Sequence, residues 1–149
     1  MILETSLKKS ENIYCKFLGF LVKKGSRILG KQILDKAFIQ ITVETTFSRQ
    51  VSLTKLFRGL NSFVEVKKVR VRRRFVLVPF PISLKRRSYL IAKWIMQAVT
   101  KDERKTSFSN KLTKEVLSTL SDVSAKTVLL KRLNLSQALA NRSNVHFRW

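Results

Sequence analysis

Apolar residues recur along most of this chain at the three- and four-residue spacing of an amphipathic helix. This spacing predicts six helices, with only four glycines and two prolines to interrupt them. The predicted helices run from Glu11 to Lys24, from Ser26 to about Val43, from about Ser52 through Leu60, from Leu84 to Val99, from about Ser107 to Leu120, and from about Thr127 to Asn141.

Each predicted helix has an apolar face that we expect to pack towards the others. These faces comprise Ile13, Phe17, Phe20 and Leu21; Leu29, Ile33, Ala37 and Ile41; Leu53, Leu56, Phe57 and Leu60; Ile91, Trp94, Ile95 and Ala98; Phe108, Leu112, Val116 and Leu120; and Leu129, Leu133 and Leu139. Gly25 is expected to end the first helix and Ser26 to cap the second. Cys15 lies among apolar residues, so we expect a small core residue rather than a reactive thiol.

The segment from Phe63 to Ile82 breaks the helical pattern. Its valines and phenylalanines are interleaved with basic residues, which predicts two strands with a turn near Arg72 and Arg73. A tight two-residue turn favours Gly or Asn at positive φ, so this loop is either wider or strained. Pro79 and Pro81 are expected at an edge or a strand end, where a missing N–H is tolerated.

The predicted fold is therefore mainly α. We expect one domain over residues 1–149, with about six helices and a two-stranded β-ribbon arm, residues 63–82, protruding between helices three and four. Residues 1–10 are polar, and we expect a flexible basic arm there.

The strong positive charge of the chain indicates the kind of partner that it binds. Lys and Arg number 31 against 9 acids, a net charge of +22. Residues 61–91 alone carry 9 basic and 1 acidic side chains, net +8, while residues 1–60 carry 11 and 4, net +7. Residues 92–149 also carry 11 and 4, net +7. A polyanion such as nucleic acid explains this excess better than a merely soluble basic surface, because cations release counterions from a phosphate backbone.

The sequence offers few residues for metal binding or catalysis. One cysteine and one histidine make no zinc site or catalytic triad, so we expect no metal and no cofactor. The nine acids are scattered, and we interpret the adjacent pair Asp102 and Glu103 as a solvated loop. There is no glycine-rich phosphate loop. No apolar stretch approaches the ~20 residues of a membrane span, and we expect neither a secretory signal nor an enzyme.

Two clusters of cations are candidate RNA-binding sites. The first lies on the predicted ribbon and at the start of the following helix, where three cations oppose the helix dipole unless an anion is bound. Its members are Lys67, Lys68, Arg70, Arg72, Arg73 and Arg74, followed by Lys85, Arg86 and Arg87. The second, Lys126, Lys131 and Arg132, is as readily explained as a solvated helix face. Trp149 could stack on a nucleotide or pack on the core.

Several motifs together resemble the family of small-subunit ribosomal protein seven. Phe63-Val64-Glu65-Val66-Lys67-Lys68, the close Val78-Pro79, Arg86-Arg87 and the run Ile91-Ala92-Lys93-Trp94 are similar to that family's central motifs, and Ala140-Asn141 through His146-Phe147-Arg148-Trp149 to its terminus. Lys23-Lys24-Gly25 followed by Arg27 resembles its D-G-K-K corner in shuffled order.

The resemblance implies a six-helix body with a ribbon arm. It also implies binding to the 3′ domain of small-subunit ribosomal RNA, nucleation of the subunit head, proximity to exit-site transfer RNA and messenger RNA, and neighbouring head and platform ribosomal proteins. Carried over onto this sequence, the expected RNA-proximal residues are Lys67, Lys68, Arg70, Arg86, Arg87, Lys131, Arg132, His146, Arg148 and Trp149; Arg142, within the closing motif, joins the candidate set.

This sequence departs from the family pattern at two places. Arg72-Arg73 replaces the usual glycine pair at the ribbon turn, and Ser124-Ala125-Lys126-Thr127 replaces a loop rich in Gly and Lys. The closing residues resemble mitochondrial members, and the composition is rich in Lys, Phe and Ile. We therefore expect a mitochondrial ribosome rather than a plastid or bacterial one. The rival hypotheses are an architectural DNA-binding protein with a β-ribbon and an RNA-processing enzyme.

Overall fold

The structure, a computed structural model, describes residues 13–121 and 125–148. Its helices are α1 (residues 13–21), α2 (Arg27–Thr45), α3 (Arg49–Leu60), α4 (Leu84–Thr100), α5 (Phe108–Leu120) and α6 (Lys126–Ala140), followed by a 3₁₀ helix (Arg142–Phe147). Strands β1 (Val64–Val71) and β2 (Arg74–Pro81) form an antiparallel ribbon between α3 and α4. The predicted fold class is confirmed. The expected N-terminal arm and Trp149 lie outside the described residues.

The core forms where α1 to α5 meet. α4 contributes five buried residues of one broad face to it, namely Ile91, Ala92, Ile95, Met96 and Val99. The fully buried side chains include Ile13, Phe17, Leu34, Ile41, Leu53, Leu56, Leu60, Ile91, Ile95, Leu112 and Val99. Burying one such side chain stabilises the fold by about 1.5–3 kcal/mol, so these helices form the rigid body that carries the ribbon.

The ends of several helices differ from those predicted. α1 ends at residue 21, and Lys24 and Gly25 then turn the chain at φ 50° and 78°. Ser26 precedes α2 but makes no capping bond with its side chain. The Oγ atom of Ser48, not Ser52, caps α3 by accepting from the backbone N–H of Val51 at 3.4 Å. The short 3₁₀ helix after α6 was not predicted.

The predicted inner face of α2 is confirmed at Ala37 and Ile41, which are buried, but its N-terminal half is displaced by one residue. Leu29 is 60% exposed, whereas Gly30 and Leu34 are buried. A Cβ atom added at Gly30 would meet the Cβ atom of Leu21 at 3.4 Å, so α1 and α2 approach closely here. Ile28 and Ile39 are also exposed, so apolar residues surround this helix on both sides and period alone does not select the buried face.

The predicted core face of α6 was wrong. Leu129, Leu133 and Leu139 are about half to two-thirds exposed, at 49%, 56% and 70%. Polar contacts orient the helix instead: Glu115 of α5 accepts from the backbone N–H of Thr127 at 2.9 Å and from its hydroxyl. Because Thr127 must meet that carboxylate, the leucines on the opposite side of α6 face outwards.

Two single-residue predictions were also wrong. Cys15 is exposed on α1 rather than part of the core, because the inward positions of that helix are taken by Ile13 and Phe17. Asp102 and Glu103 lie in a loop and Glu103 is exposed, as predicted, but the carboxylate of Asp102 is almost buried and accepts from Arg104 at both oxygens. This hydrogen bond lowers the pKa of Asp102 to about 2.

The base of the ribbon is joined to α4 by an ion pair. Arg86 donates to both oxygens of Glu65, from Nε at 2.9 Å and from Nη2 at 2.6 Å. The carboxylate of Glu65 is nearly buried. The hydrogen bonds from Arg86 hold the pKa of Glu65 below its ordinary value of 4.5, although burial alone would raise it.

We predict that Glu115→Ala lowers the free energy of unfolding by about 2 kcal/mol, since the N–H of Thr127 loses its partner in a buried position. Urea denaturation followed by circular dichroism measures this change. Glu103→Ala removes an exposed acid and is the matched control. Equal stabilities for the two variants would contradict the orientation of α6 by Glu115.

We predict that Glu65→Gln makes stability less dependent on acid pH. Because the folded pKa lies below the unfolded one, the contribution of Glu65 is full above pH 4.5 and is lost as pH falls through the lowered folded value. The variant therefore loses stability at pH 7, by about 1 kcal/mol because Arg86 is partly exposed, and its urea midpoint falls less steeply on acidification. Glu44→Gln, at an exposed position, should keep the wild-type profile.

Candidate nucleic-acid interface

The ribbon presents cations on both faces and at its tip. In the ladder, Lys67 pairs with Val78 and Lys68 with Leu77, so the two lysines point to opposite faces. Arg70 shares the face of Lys68. The six ribbon cations, Lys67, Lys68, Arg70, Arg72, Arg73 and Arg74, are all exposed.

The turn at the tip is tight and strained. β1 ends at Val71 and β2 begins at Arg74, which leaves Arg72 and Arg73 as the two turn residues. Arg72 has a φ of 54°, in the left-handed region that glycine and asparagine adopt most easily. A non-glycine residue there costs on the order of 1 kcal/mol. The structure thus answers the question left by the sequence: the loop is strained, not wider.

The three cations at the start of α4 differ in their surroundings. Lys85 is exposed at the second residue of the helix. Arg86 is bound by Glu65, which offsets its charge. Arg87 donates from Nε to the carbonyl of Ile82 at 3.2 Å and lies 4.2 Å from the centre of the Phe63 ring. Intramolecular contacts therefore explain two of these three cations, a reading that the helix-dipole argument did not anticipate.

Both outer edges of the ribbon are bound by side chains from the C-terminal elements. Asn134 of α6 donates to the carbonyl of Val64 at 2.8 Å. Asn144 of the 3₁₀ helix donates to the carbonyl of Leu77 at 3.1 Å, and Nε of Arg148 donates to that of Pro79. We name these three residues the edge donors. Leu77, Pro79 and Pro81 alternate along β2, so the prolines direct their missing N–H away from β1 and the ladder loses no bond.

The three cations of the second predicted cluster, Lys126, Lys131 and Arg132, do not form one surface. Lys131 donates to the carbonyl of Gly59 at 2.8 Å, near the C-terminal end of α3, where a cation suits the helix dipole. Arg132 is exposed on the outer side of α6. Lys126 is exposed at the first residue of α6, eight residues before Asn134, whose side chain binds the ribbon base. Eight residues of α-helix span about 12 Å, so Lys126 lies apart from the ribbon.

The residues of the closing motif lie beside β2. Arg142 is exposed at the start of the 3₁₀ helix. The exposed His146 ring has Nδ1 2.8 Å from the carbonyl of Ser143, and its centre lies 3.8 Å from that of Phe147. The structure thus brings the ribbon cations, Arg142, His146 and Arg148 to one side of the molecule, and leaves Lys126 elsewhere.

Sequence reasoning missed Asn134 and Asn144, which organise this surface. Asn144 lies within the quoted closing motif, but a neutral amide carries no charge signal. Among the described residues there is no group of three His, Cys, Asp or Glu side chains placed to hold a metal. Within the same residues, no helix is both long and apolar enough to cross a membrane.

Comparison with known proteins identifies relatives along almost the whole chain. Small ribosomal subunit protein uS7m of Reclinomonas americana is 26% identical over 140 residues, covering 94% of this chain and 87% of that protein. Small ribosomal subunit protein uS7 of Francisella tularensis subsp. holarctica (strain OSU18) is 27% identical over 143 residues, covering 95% and 90%. The protein of the same name in Francisella tularensis subsp. novicida (strain U112) is 26% identical over 143 residues, with the same coverage.

The family assignment rests on a longer pattern than the motifs alone. Residues 1–142 match ribosomal protein S7p/S5e. The family resemblance is thereby confirmed over a range that includes all the central motifs, and the helical body with one ribbon arm agrees with it. The chain belongs to the ribosomal protein S7p/S5e family.

Proposed function

We propose that this protein is a structural RNA-binding subunit of the small ribosomal subunit and performs no catalysis. It binds the 3′ domain of small-subunit ribosomal RNA, helps to nucleate the head, and lies near exit-site transfer RNA and messenger RNA. Family membership supports the ribosomal role. The observation that carries the RNA contact is the ribbon, whose six cations within eight residues are exposed.

The electrostatics of the ribbon favour a phosphate ligand. The three ion pairs found in the described parts of the chain all lie away from the ribbon tip. The only acid in residues 61–91 is Glu65, and Arg86 binds it at the ribbon base. Arginine forks bind phosphate oxygens in pairs, and lysines add point charge. The proposed RNA-binding surface is thus the ribbon cations with the exposed Lys85 and Arg142.

We place the protein in a mitochondrial ribosome. Support comes from uS7m of Reclinomonas americana, 26% identical over 94% of this chain, and from the likeness of the closing residues to mitochondrial members.

A protein neighbour is proposed for α6. The outward-facing Leu129, Leu133 and Leu139 leave apolar surface uncovered on a helix that carries no acid. Exposed contiguous apolar surface is typical of protein contacts. This surface is the place where we expect a head or platform protein of the subunit to pack.

The triple variant in which Arg72, Arg73 and Arg74 are each changed to Gln should bind a 3′-domain RNA fragment more weakly, whatever the RNA sequence. If the wild-type protein neutralises about six phosphates, its log–log salt slope is near −5, and the variant's should be shallower by about 2–3. Filter binding at several salt concentrations measures both. The far-ultraviolet helix signal should not change, because the ribbon tip lies outside the core.

The matched control replaces Lys16, Lys31 and Lys36, three exposed lysines on α1 and α2, with Gln. It removes the same charge, so an equal loss of affinity would show that net charge rather than the ribbon binds RNA. Competition by duplex DNA as effective as that by ribosomal RNA would favour the architectural DNA-binding hypothesis instead.

Arg72→Gly should separate stability from binding. Glycine adopts a φ of 54° without steric cost, so the variant should unfold at equal or higher urea concentration, with a gain of up to about 1 kcal/mol. It should nevertheless bind the RNA fragment less tightly, with a salt slope shallower by about 1. Arg73→Gly is the control, because Arg73 has no positive φ to relieve. A less stable Arg72→Gly protein would contradict the strained turn.

A further inference from the structure

A cavity of about 650 Å³ lies between the ribbon tip and the 3₁₀ helix. Its size falls within the ~300–1,000 Å³ typical of small-ligand sites. Its walls combine three chemistries: guanidinium groups, branched aliphatic side chains and one aromatic ring. The lining residues are Val71, Arg72, Arg73, Arg74, Val76 and Phe147.

One face of the ribbon forms a wall of this cavity. Val71 pairs directly with Arg74, and Val69 with Val76, so Val71, Arg74 and Val76 point to the same side of the ladder. Phe147 meets this side near the turn. The wall therefore has an apolar floor of two valines with arginines at its rim.

Phe147 is held in place from both sides along the chain. Three residues before it, Asn144 donates to the carbonyl of Leu77, and one residue after it, Arg148 donates to that of Pro79. The adjacent His146 ring, 3.8 Å away between centres and tilted by 45°, packs against Phe147. The edge donors thus fix an aromatic ring against a ribbon whose tip carries only positive charge.

The charge and shape of the cavity select a class of ligand. Residues 66–82 and 125–148 contain no Asp or Glu, so no carboxylate of these segments competes for the arginines. The arginines of the rim favour a ligand that carries phosphate. The apolar floor and the Phe147 ring favour a ligand that also carries a flat ring. A base inside a duplex is already stacked on both faces, whereas an unpaired base is free to stack on an aromatic side chain.

We propose that this cavity binds one unpaired nucleotide of single-stranded RNA, with its base on Phe147 and its phosphates on Arg72, Arg73 and Arg74. The inference rests on the proposed RNA binding and deepens it. Stacking tolerates any base, because every base has a π-face. The ribbon therefore grips a single strand irrespective of its sequence.

The test uses a seven-nucleotide single-stranded RNA with 2-aminopurine, a base whose fluorescence is quenched by stacking, at its centre. Wild-type protein and Phe147→Tyr should quench it. Phe147→Leu should bind this oligonucleotide about 5- to 150-fold more weakly, the range measured for losing one base–aromatic stack. Its salt slope should equal that of the wild type, since no charge is removed.

Phe147 is partly buried, so a second variant guards against a folding defect. Val76→Phe fills the cavity from the ribbon side and leaves Phe147 unchanged. The Val76→Phe protein should also fail to quench the fluorescence, while its melting temperature should equal that of the wild type. Quenching and affinity that persist in both Phe147→Leu and Val76→Phe would overturn the proposal.

Binding to a 3′-domain RNA fragment distinguishes this failure from failure of the proposed function. If the wild-type protein binds the fragment but neither variant changes oligonucleotide binding, the nucleotide site is wrong and the ribosomal role stands. If the wild-type protein binds neither RNA, the proposed function itself fails.

Discussion

Three hydrogen bonds to the ribbon's backbone carbonyls hold the charged arm in its place. A two-stranded ribbon alone is marginally stable in water, and six cations within eight residues repel one another along this one. Asn134 covers the outer edge of β1, while Asn144 and Arg148 cover that of β2. With both edges bound and Glu65 paired to Arg86 at the base, the arm is a continuation of the helical body, and its cations can be aimed at a ligand.

The fold could largely be predicted from the sequence, because apolar periodicity reports burial wherever one face of a helix is clearly richer. α4 and α5 have such faces, and the predicted residues Ile91, Ile95, Leu112 and Val116 are buried. α2 and α6 do not. Apolar residues surround α2, and α6 is oriented by the bond between Glu115 and Thr127. A specific polar contact between two residues 12 positions apart leaves no periodic pattern in the sequence, so the spacing of the α6 leucines predicted the wrong face.

The candidate site was predictable in its charges but not in its contacts. A run of Lys and Arg marks a surface for anions whatever the fold, and the ribbon cations are exposed as expected. Whether a given cation faces solvent or a neighbouring carbonyl depends on the tertiary structure. Arg148 and Lys131 were chosen as cations and prove to be donors to Pro79 and Gly59. Their role for RNA remains a prediction, as does that of the whole set.

The edge donors are synthesised long after the strands that they bind. Each follows the carbonyl that it binds by 67 to 70 positions along the chain. A ribosome translating this message therefore makes both strands, then α4, α5 and half of α6, before the first of the residues that bind the strand edges exists. Throughout that interval the nascent hairpin presents bare carbonyls and amides, a template for pairing with other chains. Its own cations are then the available protection, since like charge keeps two such hairpins apart.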